Sequence, residues 1–304
     1  MKVIYMGTPD FAVPCLKRLV KENYDVVCVV TQPDKPVGRK QILTPSDVKV
    51  TAQVLGLNVY QPQTLRSDEA YEYLAAFRPD YMVVAAYGKI LPQRILDIPK
   101  YACINVHGSL LPQYRGAAPI QRSVLNGDKV TGVTTMLMNA GLDTGDILLT
   151  RSVDIGENET SGELFDRLAR LSPDLLTETL KKYTVGAIRP IPQDESLATY
   201  AAMLSKAEAE IDFAKTAADA HNLIRGMSPW PVAFTVMDGK KLKILESRRT
   251  DINCGGSPGE MFTKGNRLYA VFADGCLEFV SVQPEGKKPM SGNAYAIGHG
   301  IRDL

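Results

Sequence analysis

Ile104 to Pro112 reads INVHGSLLP. With the apolar Tyr101-Ala102-Cys103 before it, this stretch predicts a buried strand ending in a polar break. Side chains alternate faces along a strand, so Asn105 and His107 share one face while Val106 points the other way. Asn105 brings an amide donor, and His107 a ring that gives or takes a proton near neutral pH. Gly108 removes all side-chain bulk, and Ser109-Leu110-Leu111-Pro112 turns the backbone. A polar pair at the carboxyl end of a buried strand is where open α/β sheets bind ligands. The chain has three histidines in all, and only His107 lies in such a break. A second polar cluster, Gly141 to Asp146 (GLDTGD), follows another apolar run about one βαβ unit later. Its Asp143 is a candidate to orient His107 and balance its charge.

Upstream, the pattern is that of a Rossmann-like, mostly parallel sheet. Lys2 to Met6 predicts a first strand, Gly7 to Asp10 a turn, and Phe11 to Lys21 a helix by its apolar spacing. Asp25 to Thr31 (DVVCVVT) is continuous in hydrophobics, as a buried parallel strand should be. GTPDF is not GxGxxG, so the dinucleotide fingerprint is absent and a dehydrogenase is not expected. Gln32 to Pro45 carries Pro33, Pro36, Gly38, Lys35, Arg39 and Lys40 without periodicity. About 14 residues is long for a connection inside a sheet, and long loops are more often functional. Ser46 caps a predicted helix to about Leu55. Further helices are predicted at Asp68 to Phe77 and Arg94 to Ile98, and strands at Val59 to Gln61 and Tyr81 to Ala86.

Downstream, Pro119 to Leu125 predicts a short helix, Val130 to Leu137 and Ile147 to Val153 strands, and Glu163 to Tyr183 an amphipathic helix. Gly186 to Tyr200 is aperiodic and Pro-bearing. Residues 1–189 are therefore expected to form the Rossmann-like domain, 190–204 a linker and 205–304 a second domain. There, Ala209 to Gly226 predicts a helix, and several short strand-like runs between Gly or Asp turns predict a small OB-like β-barrel.

Composition is that of an ordinary globular chain: 304 residues, 45% hydrophobic, 23% charged, net charge +1. No global positive field points to nucleic acid, and Ser205 to Leu304 carries 13 Lys and Arg against 12 Asp and Glu. Any RNA contact must use local patches, for which Lys206, Lys287 and Lys288 are the candidates. The five cysteines have no CxxC or metal-type spacing, so reduced core cysteines, a cytoplasmic location and no metal are expected. No apolar run approaches a membrane span, so no membrane partner is expected. Sequence does not fix the oligomeric state; a monomer is the expectation.

NVHGSLLPQYRGAAPIQ (Asn105 to Gln121) and GLDTGDIL (Gly141 to Leu148) resemble the folate-dependent formyltransferases, and among them the methionyl-tRNA formyltransferases. The resemblance covers nearly the whole chain, from MGTPDFAVP (Met6 to Pro14) through TQPDKPVGRK (Thr31 to Lys40) to GKKPM (Gly286 to Met290). It implies formyl transfer from 10-formyltetrahydrofolate to the amine of methionyl-initiator tRNA, with that tRNA as partner. It implies Asn105 and His107 as donors to the developing oxyanion, and Asp143 as the group that holds the imidazole and takes the amine proton. Ser109, Leu110, Leu111 and Pro112 would form the folate wall, with Lys89 and Leu91 in the segment lining the pterin pocket. The Gln32 to Pro45 loop, with Arg39 and Lys40, would approach the acceptor end of the tRNA.

Rival readings differ in acceptor or in class. A formyltransferase for a ribonucleotide or an amino sugar needs the same three residues, but not a second domain. A formate-releasing hydrolase replaces the amine with water. A non-catalytic RNA-binding protein would have no reason to keep Asn105, His107 and Asp143 together.

Overall fold

The first strand, β1 (Lys2–Gly7), is buried along almost its whole length, and a sheet grows on both of its sides. The computed structural model describes residues 1–38, 40–237 and 239–303. They divide into two units: Met1–Pro119, Gly132–Val153 and Phe165–Ala201 form the first, and Ile120–Thr131, Asp154–Leu164 and the chain from Ala202 onward form the second.

In chain order, β2 (Asp25–Val30), β3 (Lys35–Val37), β4 (Ile42–Thr44), β5 (Val59–Tyr60), β6 (Tyr81–Ala85), β7 (Ala102–His107), β8 (Arg115–Gly116), β9 (Val130–Leu137), β10 (Ile147–Asp154) and β11 (Tyr200–Ala201) follow β1. The helices are α1 (Val13–Lys21), α2 (Asp47–Val54), α3 (Asp68–Ala75), α4 (Gln93–Leu96), α5 (Pro119–Leu125) and α6 (Ser161–Thr184). The main sheet runs β10-β9-β7-β6-β1-β2-β5. Pairings β6–β7, β1–β6, β1–β2 and β2–β5 are parallel, and β7–β9 is antiparallel. This is the mostly parallel sheet the apolar runs predict. Chain order reverses beside β1, which makes the carboxyl ends of β1, β6 and β7 a ligand crevice by topology alone.

Burial explains the strands. Val3, Ile4, Met6, Cys28, Val30, Met82, Val83 and Ile104 are fully buried, and fully burying one aliphatic side chain is worth roughly 1.5–3 kcal/mol. The strand ends are tied together by polar groups. Thr8 Oγ1 donates to Tyr87 O at 3.0 Å and Gln32 Nε2 to the same carbonyl at 2.7 Å. Ser46 caps α2 by accepting from Lys49 N, as expected of that position. The loop after β2 is not aperiodic throughout: β3 and β4 pair as an antiparallel hairpin, Lys35 opposite Thr44. Its proline and glycine content hid a ribbon too short to show alternation.

In the second unit, α7 (Ala217–Gly226) precedes β12 (Phe234–Met237), β13 (Lys240–Arg249), β14 (Met261–Lys264), β15 (Arg267–Phe272), β16 (Gly275–Pro284), β17 (Met290–Ser291) and α8 (Gly292–His299). The strands pair in the order β12-β13-β16-β15-β14, with β17 on β16, and every ladder is antiparallel. The short antiparallel strands foreseen from the turn spacing are present. The helix foreseen over 209–226 starts only at Ala217. Ile211 N instead donates to Phe234 O beside β12, and Thr216 Oγ1 caps the helix by accepting from Asp219 N. Ser205 N donates to Glu208 Oε1, half of the foreseen capping box. α8 was not foreseen, because GNAYAIGH has two glycines and no apolar stripe.

Candidate active site

β7 sets the site. Its apolar residues Cys103, Ile104 and Val106 are buried in the sheet, which fixes the register and turns Asn105 and His107 toward one face. Asn105 lies opposite Met136 and His107 opposite Thr134 of β9. Both polar side chains are almost fully enclosed, at 8% and 6% exposure.

Asp143 reaches them from the turn between β9 and β10. Asn105 Nδ2 donates to Asp143 Oδ1 over a long 3.4 Å. His107 Nδ1 lies 3.7 Å from Asp143 Oδ2, too far for a direct hydrogen bond. The shorter bond to that oxygen comes from the backbone: Gly116 N donates to Asp143 Oδ2 at 2.8 Å. Gly116 has φ +116, and a Cβ there would sit 2.9 Å from Ala201 O, so only glycine presents this N–H. Asp143 has φ +53. A non-glycine residue in the left-handed region costs roughly 1–2 kcal/mol, which aspartate tolerates better than most.

His107 is held from its other nitrogen, since Nε2 lies 2.9 Å from Tyr114 O. Tyr114, at φ +60, is fixed in turn by its N–H donating to Thr199 Oγ1 at 2.9 Å. The sequence therefore identifies the three side chains that converge, but not the backbone groups of Tyr114 and Gly116 that hold two of them.

Arg115, between those two, is fully buried. It pairs with the Glu195 carboxylate at 2.8 Å through Nη1 and Nη2 and with Gln193 Oε1 through Nε and Nη2. Glu195 is the main reason the guanidinium's pKa lies above its ordinary value, and Arg115 holds the Glu195 carboxyl below its own. Neither Gln193 nor Arg115 was singled out from the sequence, since a small-residue turn and an aperiodic connection carry no signal for a partnership between them.

The other expected residues fall into three groups. Ser109 is fully buried, its Oγ donating to Gln113 O at 2.6 Å, while its carbonyl accepts from Thr134 Oγ1 at 2.7 Å. Leu110 and Pro112 are half-buried, and Leu111 is buried and joined to Pro112 by a cis peptide bond. Leu91 belongs to the core with Tyr87, Ile95 and Cys103, and Lys89 Nζ donates to Gln63 O at 2.8 Å. On the hairpin, Lys40 is exposed and Arg39 lies outside the described residues. Lys206 starts a short 3-10 turn, while Lys287 and Lys288 lie in the turn between β16 and β17. All three are exposed, and the described contacts do not link Lys206 to the other two.

After β6, Ala86 at φ +46 and Gly88 at φ +77 turn backbone groups out of the sheet, beside the apolar Leu91. Among the described residues, the Tyr87 hydroxyl is the one buried side-chain polar atom without a hydrogen-bond partner. Burial pushes its pKa up to about 12, so it remains a neutral donor. No group of three or more metal-capable side chains occurs among the described residues.

Comparison with known proteins agrees over the whole length. The formyl transferase family model matches residues 1–180 and the formyl transferase C-terminal domain model matches residues 203–300. A methionyl-tRNA formyltransferase of Clostridium novyi is 48% identical over 99% of this chain and 98% of its own length. One of Macrococcus caseolyticus is 48% identical over 98% and 95%. A methionyl-tRNA formyltransferase structure from Clostridium thermocellum superposes with a TM-score of 0.57 at 19% identity, over 83% of this chain and 94% of that one. A sugar 3N-formyl transferase, solved with dTDP and 5-N-formyl-THF, gives 0.69 at 19% identity, over 95% and 99%. Those two structural likenesses speak to the fold.

Proposed function

Because the chain belongs to the methionyl-tRNA formyltransferases, and so moves a formyl group from a folate to methionyl-tRNA, we propose that Asn105, His107 and Asp143 are its catalytic set. The convergence of these three side chains at the carboxyl end of β7 carries the reading. The donor is 10-formyltetrahydrofolate, the acceptor the free amine of methionyl-initiator tRNA, and the setting the cytoplasm, where charged tRNA is used. Among the described residues no helix is long and apolar enough to cross a membrane.

The bound folate supplies the formyl group. The chain's own task is to receive the negative charge that develops on the formyl oxygen and the proton that leaves the amine. Preorganised donors aimed at such an oxygen are usually the largest catalytic contribution. Asn105 Nδ2 has a second proton beyond its long bond to Asp143 and serves as one donor. His107 Nδ1 is the ring nitrogen left to the site once Nε2 engages Tyr114. As an imidazolium it donates to the oxygen beside the Asp143 carboxylate; as a neutral ring it accepts a proton. Asp143 takes up the amine proton directly or through water, and the Gly116 N–H keeps its carboxylate in place. Leu110, Leu111 and Pro112 form the folate wall, with Ser109 shaping the turn that carries them. Lys89 and Leu91 belong to the pterin side, the first by fixing the 62–63 backbone and the second by apolar contact. Arg39, Lys40, Lys206, Lys287 and Lys288 are the basic contacts for tRNA.

The deciding experiment measures formyl transfer from 10-formyltetrahydrofolate to methionyl-initiator tRNA, with an amino-sugar nucleotide and water as competing acceptors. Rapid formylation of the tRNA alone is expected. Equal transfer to the sugar amine, or release of formate without tRNA, would overturn the assignment of acceptor.

A further inference from the structure

Gln193 to Tyr200 looks like a plain connection in the sequence, yet it is bonded to the Asp143 backbone and to the Tyr114 backbone that holds His107. The Gln193 side chain is held at one end by Arg115, whose Nε and Nη2 donate to Gln193 Oε1 at 3.0 and 2.8 Å. This fixes the orientation of the amide, since a flipped one would set its N–H groups against a guanidinium. At the other end Gln193 Nε2 donates twice, to Asp143 O at 2.8 Å and to Gly145 O at 2.7 Å. Six residues further on, Thr199 accepts from Tyr114 N through Oγ1 and from Arg115 N through its carbonyl at 2.8 Å. Tyr114 O is the group that fixes His107.

The bonds from Gln193 act on the turn's backbone carbonyls, while Gly116 and Asn105 hold only the Asp143 carboxylate. Gly141 and Leu142 are exposed, and Asn139 Oδ1 braces the turn from outside through Gly141 N and Thr144 Oγ1 without touching the Asp143 or Gly145 carbonyls. Asp143 is nevertheless kept at φ +53. Two carbonyls brought close in one turn repel each other, and a single amide with two protons satisfies both. From this geometry we propose that Gln193, clamped by the buried Arg115, is a positioning residue for formyl transfer. It holds the Asp143 backbone so that the carboxylate stays on Asn105, Gly116 and the His107 ring. The proposal rests on the reading of Asn105, His107 and Asp143 as the catalytic set.

The sharpest variant is Gln193→Glu. It keeps the length and still accepts from Arg115, but offers no N–H and sets a carboxylate against two carbonyl oxygens. Gln193→Ala removes both ends. A misplacement on the order of 1 Å costs up to ~100-fold in rate, so kcat is expected to fall about 10- to 100-fold in each variant. KM for the folate and for methionyl-tRNA should stay within about twofold of wild type. The control is the same substitution in an Asp143→Asn background. If Gln193 acts through Asp143, its removal should cost little more there. An equal fold-loss in both backgrounds means a general structural role and overturns the proposal. So does wild-type kcat in Gln193→Glu and Gln193→Ala while Asp143→Asn is impaired. Full turnover by Asp143→Asn itself overturns the underlying reading of the site, an outcome distinguishable from the other two. Should Gln193→Ala melt early, Gln193→Glu, which keeps the Arg115 contact, carries the same comparison.

Discussion

The Nε2 of His107 and the carbonyl of Tyr114 lie 2.9 Å apart, and a carbonyl only accepts. The neutral imidazole is therefore protonated on Nε2, and Nδ1, 3.7 Å from Asp143, is the lone-pair nitrogen. Nitrogen-15 NMR of protein labelled in the imidazole should show the Nε2–H tautomer for His107 at high pH. A proton on Nδ1 instead would mean that Asp143 orients the ring and that the Tyr114 contact is incidental. His107→Ala should retain folate binding and lose about 100-fold or more in turnover, since it removes the donor that the imidazolium form of the ring presents to the oxyanion.

Among the described residues the Asn105 side chain makes one hydrogen bond, the long one to Asp143. Little folding energy hangs on its amide, so Asn105→Ala should melt within a few degrees of wild type. Its expected cost is catalytic, ~10²–10³ in kcat. A soluble variant with unchanged turnover would remove Asn105 from the mechanism.

The hairpin β3–β4 exposes three aliphatic side chains, Val37 at 56%, Ile42 at 62% and Leu43 at 64%, next to Lys35 and Lys40. Exposed aliphatics on a two-stranded ribbon contribute nothing to a core. Replacing Val37, Ile42 and Leu43 together by serine should leave melting temperature and the folate KM unchanged, and raise the KM for methionyl-tRNA severalfold. Steady-state kinetics with each substrate varied in turn decides this. An unaltered tRNA KM would show that the hairpin does not meet the tRNA.

The sheet was legible because buried parallel strands are written as unbroken apolar runs, as in Asp25 to Val30 and Tyr81 to Ala85. Asn105 and His107 were legible because a polar pair two residues apart must share a face, and Asp143 because a second polar cluster, GLDTGD, follows another apolar run about one βαβ unit later. What the sequence hid depends on contacts distant in the chain. Gln193 reaches Asp143 across 50 residues, and Arg115 reaches Glu195 across 80. Ile211 to Phe213 looked helical until the pairing of Ile211 with Phe234 drew the chain alongside β12. The hairpin was missed for a local reason, strands of three residues bounded by proline and glycine.

In the second unit His221 is 2% exposed and fully bonded as a neutral ring. Nε2 donates to Glu157 O at 3.1 Å, and Nδ1 accepts from Ser247 Oγ at 2.9 Å. Its pKa is lowered, first by burial and then by the nearby charges of Arg225 and Arg249, against an opposing pull from Glu157. The consequence for stability has a definite sign. Below the ordinary histidine value of about 6.5 the unfolded chain takes up a proton that the folded chain refuses, so stability falls as pH falls from there toward the folded pKa. Above about pH 7.5 both states are neutral and the effect vanishes. The carboxylates held low by basic partners, Glu22 by Lys181 and Glu208 by Arg122 among them, lose their contribution as pH falls from the usual carboxylate range toward their lowered values, below most of the pH 5.5 to 7.5 window, and the comparison with His221→Gln assigns the remaining slope. Wild type should therefore lose melting temperature steadily from pH 7.5 to 5.5. His221→Gln, which cannot take up a proton, should start lower at pH 7.5 and show a flatter profile. Parallel profiles for the two proteins would mean that some other group sets the acid sensitivity of the fold.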